Sequence, residues 1–330
     1  MAVGIHDVAH RAGVSVATVS RSFTAPETVR ATTRSKVLEV AAALGYRPNR
    51  AARGLITGRT GNIGVIVPDL GNPYFQGVLK GAQARAREAD YAVFIADGRE
   101  SASEEETLIA AMGKQVDGIV LCSSRLTPAT LSGLEPVPAV VLLNRRVPGL
   151  ATVTIDSADG MRQAVAHLSA LGHTRCAFVS GPRRSWSNQQ RLRGLRAAGA
   201  DIVTIGPVAP QFEGGVDAAE QVLASGVTAV LAYNDLVAAG ILSRLAELGV
   251  GVPDDLSVVG FDDIPLAAML TPALTTVAAP TATAGAAAVN ALMTHLEDPH
   301  APPTVLGLPT RLEVRGSTAA ALPLTNQGAV

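Results

Sequence analysis

With only two cysteines, Cys122 and Cys176, in 330 residues, the chain has little scope for a disulfide framework. Each sits inside an apolar run, where a thiol behaves as a small hydrophobe. Aromatic residues are scarce, at 3% with a single tryptophan, Trp186, so any core must be assembled from Ala, Val, Leu and Ile. No apolar run approaches the roughly 18 uncharged residues needed to cross a bilayer. The opening stretch, residues 1–7, has neither the basic nor the apolar segment of an export signal. These absences lead to the expectation of a cytoplasmic protein with no membrane contact. Catalytic signatures are missing as well. The six histidines show no HExxH or other metal-ligand spacing, and there is no Gly-x-Ser-x-Gly elbow and no Walker loop. Asp262 and Asp263 form a carboxylate pair, but adjacent loop residues seldom share one site. The expectation is therefore no enzyme, no metal and no cofactor.

What is present is a core-forming balance, 48% hydrophobic and 17% charged, over a length that suggests two or three folding units. A formal net charge of −1 conceals an uneven distribution. Residues 1–60 carry nine Lys/Arg against three acids, a charge of +6, which leaves −7 on the remainder. A basic head on an acidic body suits a phosphate-binding module joined to a domain that does not bind nucleic acid, although a basic segment alone can also be a solvated helical surface.

In the head, Ile5, Val8, Ala9 and Ala12 recur at the spacing of one helical face. Gly13 suits the left-handed end of that helix, and Ser15 can cap a second one from Val16 to about Phe23. This second helix should bury Val19 and present Val16, Ala17, Ser20 and Arg21. Two helices joined by a short glycine turn form a helix-turn-helix, whose second helix fits the major groove. A third helix, from about Ala31 to Leu44, should turn Val37, Val40, Ala41 and Leu44 inward, with Gly45 after it and Pro48 preventing continuation.

The seventeen residues from Ile5 to Arg21 (IHDVAHRAGVSVATVSR) strongly resemble the DNA-binding head of the lactose/galactose repressor family. The resemblance puts specificity on Val16 and Ala17, a base or phosphate contact on Arg21, and phosphate contacts on Ser15, Thr18 and Ser20. Arginine can pair bidentately with guanine, and hydroxyls near a helix N-terminus suit phosphate. Ala17 can only touch a thymine methyl or leave space. Thr24 stands where the family usually has Asn, which puts that phosphate contact in doubt. Residues 46–55 (YRPNRAARGL) resemble the family's hinge helix. That likeness implies DNA contacts from Asn49 and Arg50, close helix pairing at Ala52, and a minor-groove wedge at Leu55. Read without the resemblance, the segment is a basic linker with one leucine.

From Asn62 onward, short apolar runs alternate with helical patterns: Ile63–Val67, Ala92–Ala96, Gly118–Cys122, Ala139–Leu143, Cys176–Val179, Ala229–Ala232 and Leu256–Gly260. Runs that are apolar throughout indicate parallel sheets covered on both faces, an α/β class. Polar residues follow each run, where open α/β sheets bind ligands. The segments PDLGNPYF (68–75), QVDGI (115–119), HLSALGH (167–173), Asn234-Asp235, SVVGFDDIP (257–265), LTTV (274–277) and VRGS (314–317) resemble the same family's sensor. That sensor is a two-lobed fold of the periplasmic-binding-protein kind. The implied organisation is a helix-turn-helix domain over 1–48, a hinge and linker over 49–60, and an effector-binding and dimerisation domain over 61–330. Lobe 1 would take about 61–157 and 282–307, and lobe 2 about 158–281 and 308–318.

The resemblance places effector contacts at Asn72, Phe75, Asp97, Ser123, Asn144 and Arg145 on one wall. On the other wall it places Ser187, Arg191, Phe212, Asn234 and Asp262. Ser187 to Gln190 reads as a capping box, which would set Arg191 in the first turn of its helix against the helix dipole, a cost acceptable for a ligand contact. Arg191 also reads as an ordinary surface arginine, Asp262 as a helix cap, and Asn234 as an N-cap. Trp186 can stack on a sugar or simply close the lobe. Two departures from the family, a short stretch between Ala198 and Pro210 and the apolar pair Ala278-Ala279, blur effector identity.

The implied function is a regulator, with repression favoured, that binds pseudo-palindromic double-stranded operator DNA as a homodimer and is switched by a small molecule, with a sugar favoured over a nucleoside or other metabolite. The rival is a solute-binding protein of the same sensor fold, which would have no use for residues 1–60.

Overall fold

The computed structural model describes residues 3–46, 58–134 and 139–321. The chain divides into two compact units, Met1–Gly61 and Asn62–Val330.

In the first unit, helix α1 (Ile5–Ala12) ends on Gly13 at φ 67°, in the left-handed region that glycine enters without a Cβ clash. Ser15 then caps α2 (Val16–Thr24), its hydroxyl accepting from the Thr18 N–H at 3.1 Å. Helix α3 (Ala31–Ala43) follows a short 3-10 turn. Val8, Ala9, Ala12, Val19, Val37 and Ala41 form the core that holds the three helices, and Phe23 and Tyr46 pack beside it with ring centroids 6.1 Å apart. Val16 also leans on this core, so only part of its side chain is free.

The second unit contains two six-stranded sheets. The first has the order β11-β5-β4-β3-β1-β2. Its strands are β1 (Asn62–Val67), β2 (Ala92–Asp97), β3 (Gly118–Cys122), β4 (Val140–Leu143), β5 (Ala151–Ile155) and β11 (Val305–Leu308). The second runs β12-β10-β9-β8-β6-β7. It is built from β6 (Arg175–Val179), β7 (Asp201–Ile205), β8 (Ala229–Ala232), β9 (Ser257–Asp262), β10 (Thr275–Ala278) and β12 (Arg311–Glu313). Pairing is parallel throughout except for the antiparallel β10–β12 edge. Parallel strands need crossover helices, and here they cover both faces of each sheet, so the central strands β3, β8 and β9 are buried throughout.

Each lobe locks one helix pair with reciprocal glycines. A Cβ on Gly81 would strike the Ala282 carbonyl, and one on Gly285 the Val78 carbonyl. In the other lobe Gly215 meets the Val237 carbonyl and Gly240 the Phe212 carbonyl. The backbones approach too closely for any side chain at these positions.

The chain passes between the sheets three times, after β5, after β10 and after β11. In both sheets the strand order reverses at the corresponding place, between β1 and β3 and between β6 and β8. A crevice opens beyond the carboxyl ends of strands at such a switch point. Among the described residues no helix is long and apolar enough to cross a membrane.

Candidate functional site

The loops beyond the strand ends of both sheets converge on one polar cavity. It is lined from the first lobe by Asn72, Tyr74, Phe75, Glu100, Ser123, Arg125 and Asn144, and from the second by Ser187, Arg191, Tyr233, Asn234, Phe261 and Asp262. Ser123, Asn144 and Asp262 have φ of 47°, 53° and 115°. Left-handed backbone at non-glycine residues costs energy and clusters where a fold must aim groups at a site.

The second-lobe wall is centred on Arg191, which is 4% exposed. Its guanidinium carbon lies 3.8 Å from the Phe261 ring centroid and 4.6 Å from that of Tyr233. One terminal nitrogen donates to the Tyr233 carbonyl and the other to the Asp262 carboxylate at 3.1 Å. Its Nε–H is buried with no acceptor among the described residues. Burial pushes the Asp262 carboxyl up to about 7, with Arg191 pulling it back. Beneath it, Asp235 accepts from the Thr276 hydroxyl at 2.5 Å and from the Ile264 N–H at 2.9 Å. Burial, and then the charge of Asp262, hold Asp235 well above the usual carboxylate range.

The first-lobe wall combines one ion pair, Arg125–Glu100 at 2.6 Å, with a set of neutral groups. Asn144 donates to the Tyr74 hydroxyl at 2.6 Å and accepts from the Ile155 N–H at 3.0 Å. Asn72 caps the helix Pro73–Glu88, accepting from the Tyr74 N–H at 3.0 Å. Asn234 does the same for the helix Asp235–Glu247, accepting from Val237 N–H and donating to the Pro210 carbonyl, both at 2.9 Å. The N-cap alternative for Asn234 is thus what its carboxamide does here.

Of the expected contact residues, Asn72, Phe75, Ser123, Asn144, Ser187, Arg191, Asn234 and Asp262 meet at the cavity. Three do not. Asp97 lines an adjoining, larger cavity and braces its own loop, accepting from the Arg99 N–H at 2.9 Å. Arg145 donates instead to the Leu126 carbonyl at 3.0 Å. Phe212 opens its helix with 40% exposure and lines neither cavity. The helix that carries Arg191 also starts earlier than the Ser187–Gln190 pattern implies. The cap is Ser185, which accepts from the Asn188 N–H at 3.2 Å. The helix is Trp186–Ala197, so Arg191 lies in its second turn, beyond the reach of the N-terminal dipole. Its burial and its partners, not the dipole, set it apart. Tyr74, Glu100, Arg125, Tyr233 and Phe261 also line the cavity; strand-end position is the one sequence signal among them, shared by Phe261 in β9 and Tyr233 directly after β8.

In the head, Ser15, Ala17 and Arg21 are exposed, and Val16, Thr18 and Ser20 half-buried, along one stretch of α2. The Ser15 and Thr18 hydroxyls are paired at 2.9 Å. Thr24 donates its one hydroxyl proton to the Ser20 carbonyl at 3.0 Å, so it has none left for a phosphate in this arrangement. Asn49, Arg50, Ala52 and Leu55 lie outside the described residues.

A helix-turn-helix unit together with a two-lobed body whose cleft gathers polar groups defines a ligand-responsive DNA-binding regulator. Comparison with known proteins agrees. The pattern described as bacterial regulatory proteins, lacI family, matches residues 4–49, and that of a periplasmic binding protein-like domain matches residues 165–318. The chain is 34% identical over 331 residues to the HTH-type transcriptional repressor CytR of Escherichia coli (strain K12), covering 97% of each chain. It is similar to a lac repressor dimer bound to operator and the anti-inducer ONPF, with a TM-score of 0.85, 29% identity and coverage of 97% of this chain and 100% of that one. It is also similar to a complex of the transcriptional regulator CelR with cellobiose, with a TM-score of 0.71, 30% identity and coverage of 96% and 99%. The chain belongs to the lacI family of transcriptional regulators.

Proposed function

We propose that this regulator represses transcription as a homodimer on a pseudo-palindromic operator, and that a sugar held between the lobes of its second unit controls the binding. The observation that carries the sugar reading is the buried Arg191–Asp262 pair. A cation stacked between two aromatic rings and a carboxylate beside it offer donors and acceptors to adjacent hydroxyls, and the unmet Nε–H is the kind of group a bound hydroxyl satisfies. The cellobiose and ONPF complexes of its relatives support the same class of ligand.

The cavity is narrow, with a volume of about 30 Å³. Such a space holds only a few waters, whereas small-molecule pockets span roughly 300–1,000 Å³. Ligand entry therefore requires the lobes to part. A ligand that favours one separation over another shifts the population of lobe arrangements. In this reading Val16, Ala17 and Arg21 read base edges, Ser15, Thr18 and Ser20 hold phosphates, and a hinge built on Asn49, Arg50, Ala52 and Leu55 forms on the DNA.

The test is selection of a duplex from a random-sequence pool at low salt by the full-length protein, with and without candidate sugars. An enriched pseudo-palindrome whose affinity responds to one sugar is expected, and Arg21→Ala should abolish the enrichment. No enrichment under any condition would overturn the regulator reading.

A further inference from the structure

The narrow cavity shares three lining residues, Glu100, Arg125 and Pro210, with the larger one, whose volume is about 660 Å³. Four arginines line this outer chamber: Arg99 and Arg125 from the first lobe, Arg183 and Arg184 from the second. They face three carboxylates, Asp69, Asp97 and Glu100.

The carboxylates are all engaged. Asp69 accepts from the Gly71 N–H at 2.8 Å and from Gln211 at 3.0 Å. Asp97 accepts from the Leu70 and Arg99 N–H groups at 3.3 and 2.9 Å. Glu100 accepts from Arg125 at 2.7 and 2.6 Å. That accounts for Arg125. The guanidinium groups of Arg99, Arg183 and Arg184 have no ion-pair or hydrogen-bond partner among the described residues. Outside the Arg125–Glu100 pair, three exposed arginines share the chamber with two carboxylates that are bonded only to neutral donors and keep their charge, so the lining carries an excess of one positive charge.

Their backbone is held in place. Arg99 and Glu100 are consecutive non-glycine residues at φ 49° and 55°. Arg183 and Arg184 sit in a turn closed by the Ser185 N–H donating to the Pro182 carbonyl at 2.9 Å, and Ser185 is itself fully buried and paired with the Tyr233 hydroxyl at 3.0 Å. When the cleft closes empty, this excess positive charge, contributed by arginines of both lobes, has no counter-charge. An anion between them supplies it and is attracted from both lobes, through charge-assisted hydrogen bonds.

We infer that the effector is a sugar bearing an anionic group, a phosphate or a carboxylate, seated so that its hydroxyls reach Arg191 and Asp262 while the anion is held in the outer chamber by Arg99, Arg183 and Arg184. This rests on the sugar reading above and names the ligand class within it.

The experiment is calorimetric titration of the full-length protein with a panel of hexoses and pentoses, their monophosphates, the corresponding uronates and aldonates, and inorganic phosphate. One anionic sugar should bind at least about tenfold tighter than its neutral parent, the scale of one charge-assisted hydrogen bond. The panel itself separates phosphate from carboxylate. In R183Q/R184Q, and separately in R99Q, the advantage should shrink while weak binding of the neutral parent is kept, and the advantage should fall as salt is raised. A neutral sugar that binds as tightly as its anionic forms, or an anion preference untouched by these variants, would overturn this inference and leave the sugar reading standing. Inorganic phosphate binding as tightly as any sugar phosphate would also overturn it. No binding by any member would overturn both.

Discussion

The two walls of the cleft are built from different chemistry on closely similar scaffolds. Both lobes have the same reversal of strand order, and both fix a helix pair through reciprocal glycines. Yet the first lobe lines the cavity with amides and hydroxyls tied to one another and to backbone beside one closed ion pair, Arg125–Glu100, while the second presents a buried cation with two buried carboxylates. A neutral network costs little to bury once its hydrogen bonds are made, and it fixes geometry. A charged one is held in a precarious balance, because removing one member leaves the others without compensation. Stability and ligand response should therefore divide unequally between the walls.

The largest effect is expected from Arg191→Met, which keeps much of the side-chain volume but leaves Asp262 and Asp235 without the cation. Loss of one partner from a buried pair costs about 3–5 kcal/mol. Urea unfolding should register it, together with loss of effector binding. Arg191→Met with Asp262→Asn should recover most of the stability and none of the binding. If the double variant is no more stable than the single one, packing against Phe261 and Tyr233, not charge, is what Arg191 supplies.

The next effect is a dependence on pH. Asp262 ionises at about 7 in the folded chain against an ordinary value of 3.8. Between those values the folded state holds a proton that the unfolded state has released. The stability this group contributes is therefore complete below about pH 4 and is lost as pH rises to about 7. Asp235 and Glu105 are shifted in the same direction, by burial first in each case. Unfolding midpoints should fall from pH 5 to pH 8, and Asp262→Asn should flatten part of that slope. An unchanged slope would move the titration to the other two carboxyls.

Among the neutral groups of the first-lobe wall, Asn144→Ala removes the donor to Tyr74 and the acceptor for Ile155, and it places alanine at φ 53°. A cost of about 2 kcal/mol, independent of pH across the same range, is expected from the lost hydrogen bonds and the backbone strain. Asn144→Gly should recover the strain portion only. A pH-dependent penalty would show that the two walls are electrostatically one.

The same contrast explains what could be read from the sequence. The parallel α/β class follows from uninterrupted apolar runs, and β3, β8 and β9 were legible because they are buried on both faces. β5 and β7 were not: threonines break the apolar pattern of β5, and β7 is a partly exposed edge strand that begins at Asp201. Polar residues just beyond strands, such as Asn72, Ser123 and Asn144, stand out against their neighbours. Tyr74 and Tyr233 do not, because a tyrosine in or beside an apolar run reads as core until its hydroxyl finds a partner 70 or 48 residues away. In one dimension the Ser187–Gln190 pattern marks Ser187 as the cap, whereas the fold uses Ser185. The bond from Ser185 to Tyr233 is visible only in three dimensions.

The smallest expected effect lies where the walls meet. Gln211 of the second lobe donates to Asp69 of the first at 3.0 Å, at the exposed mouth. An exposed neutral donor on a carboxylate is worth about 0.5 kcal/mol, so Gln211→Ala should leave global stability almost unchanged. The bond exists only when the lobes are close, however, so its whole contribution falls on the closed arrangement. Half a kilocalorie there is about a twofold change in the closed population and in effector affinity, read by calorimetry and as faster ligand release. A tenfold loss would mean that Gln211 touches the ligand itself. No change would leave closure to the apolar contact of Leu236, Ile264 and Leu266 with the first-lobe core, a seam that polar substitution at the mouth does not reach.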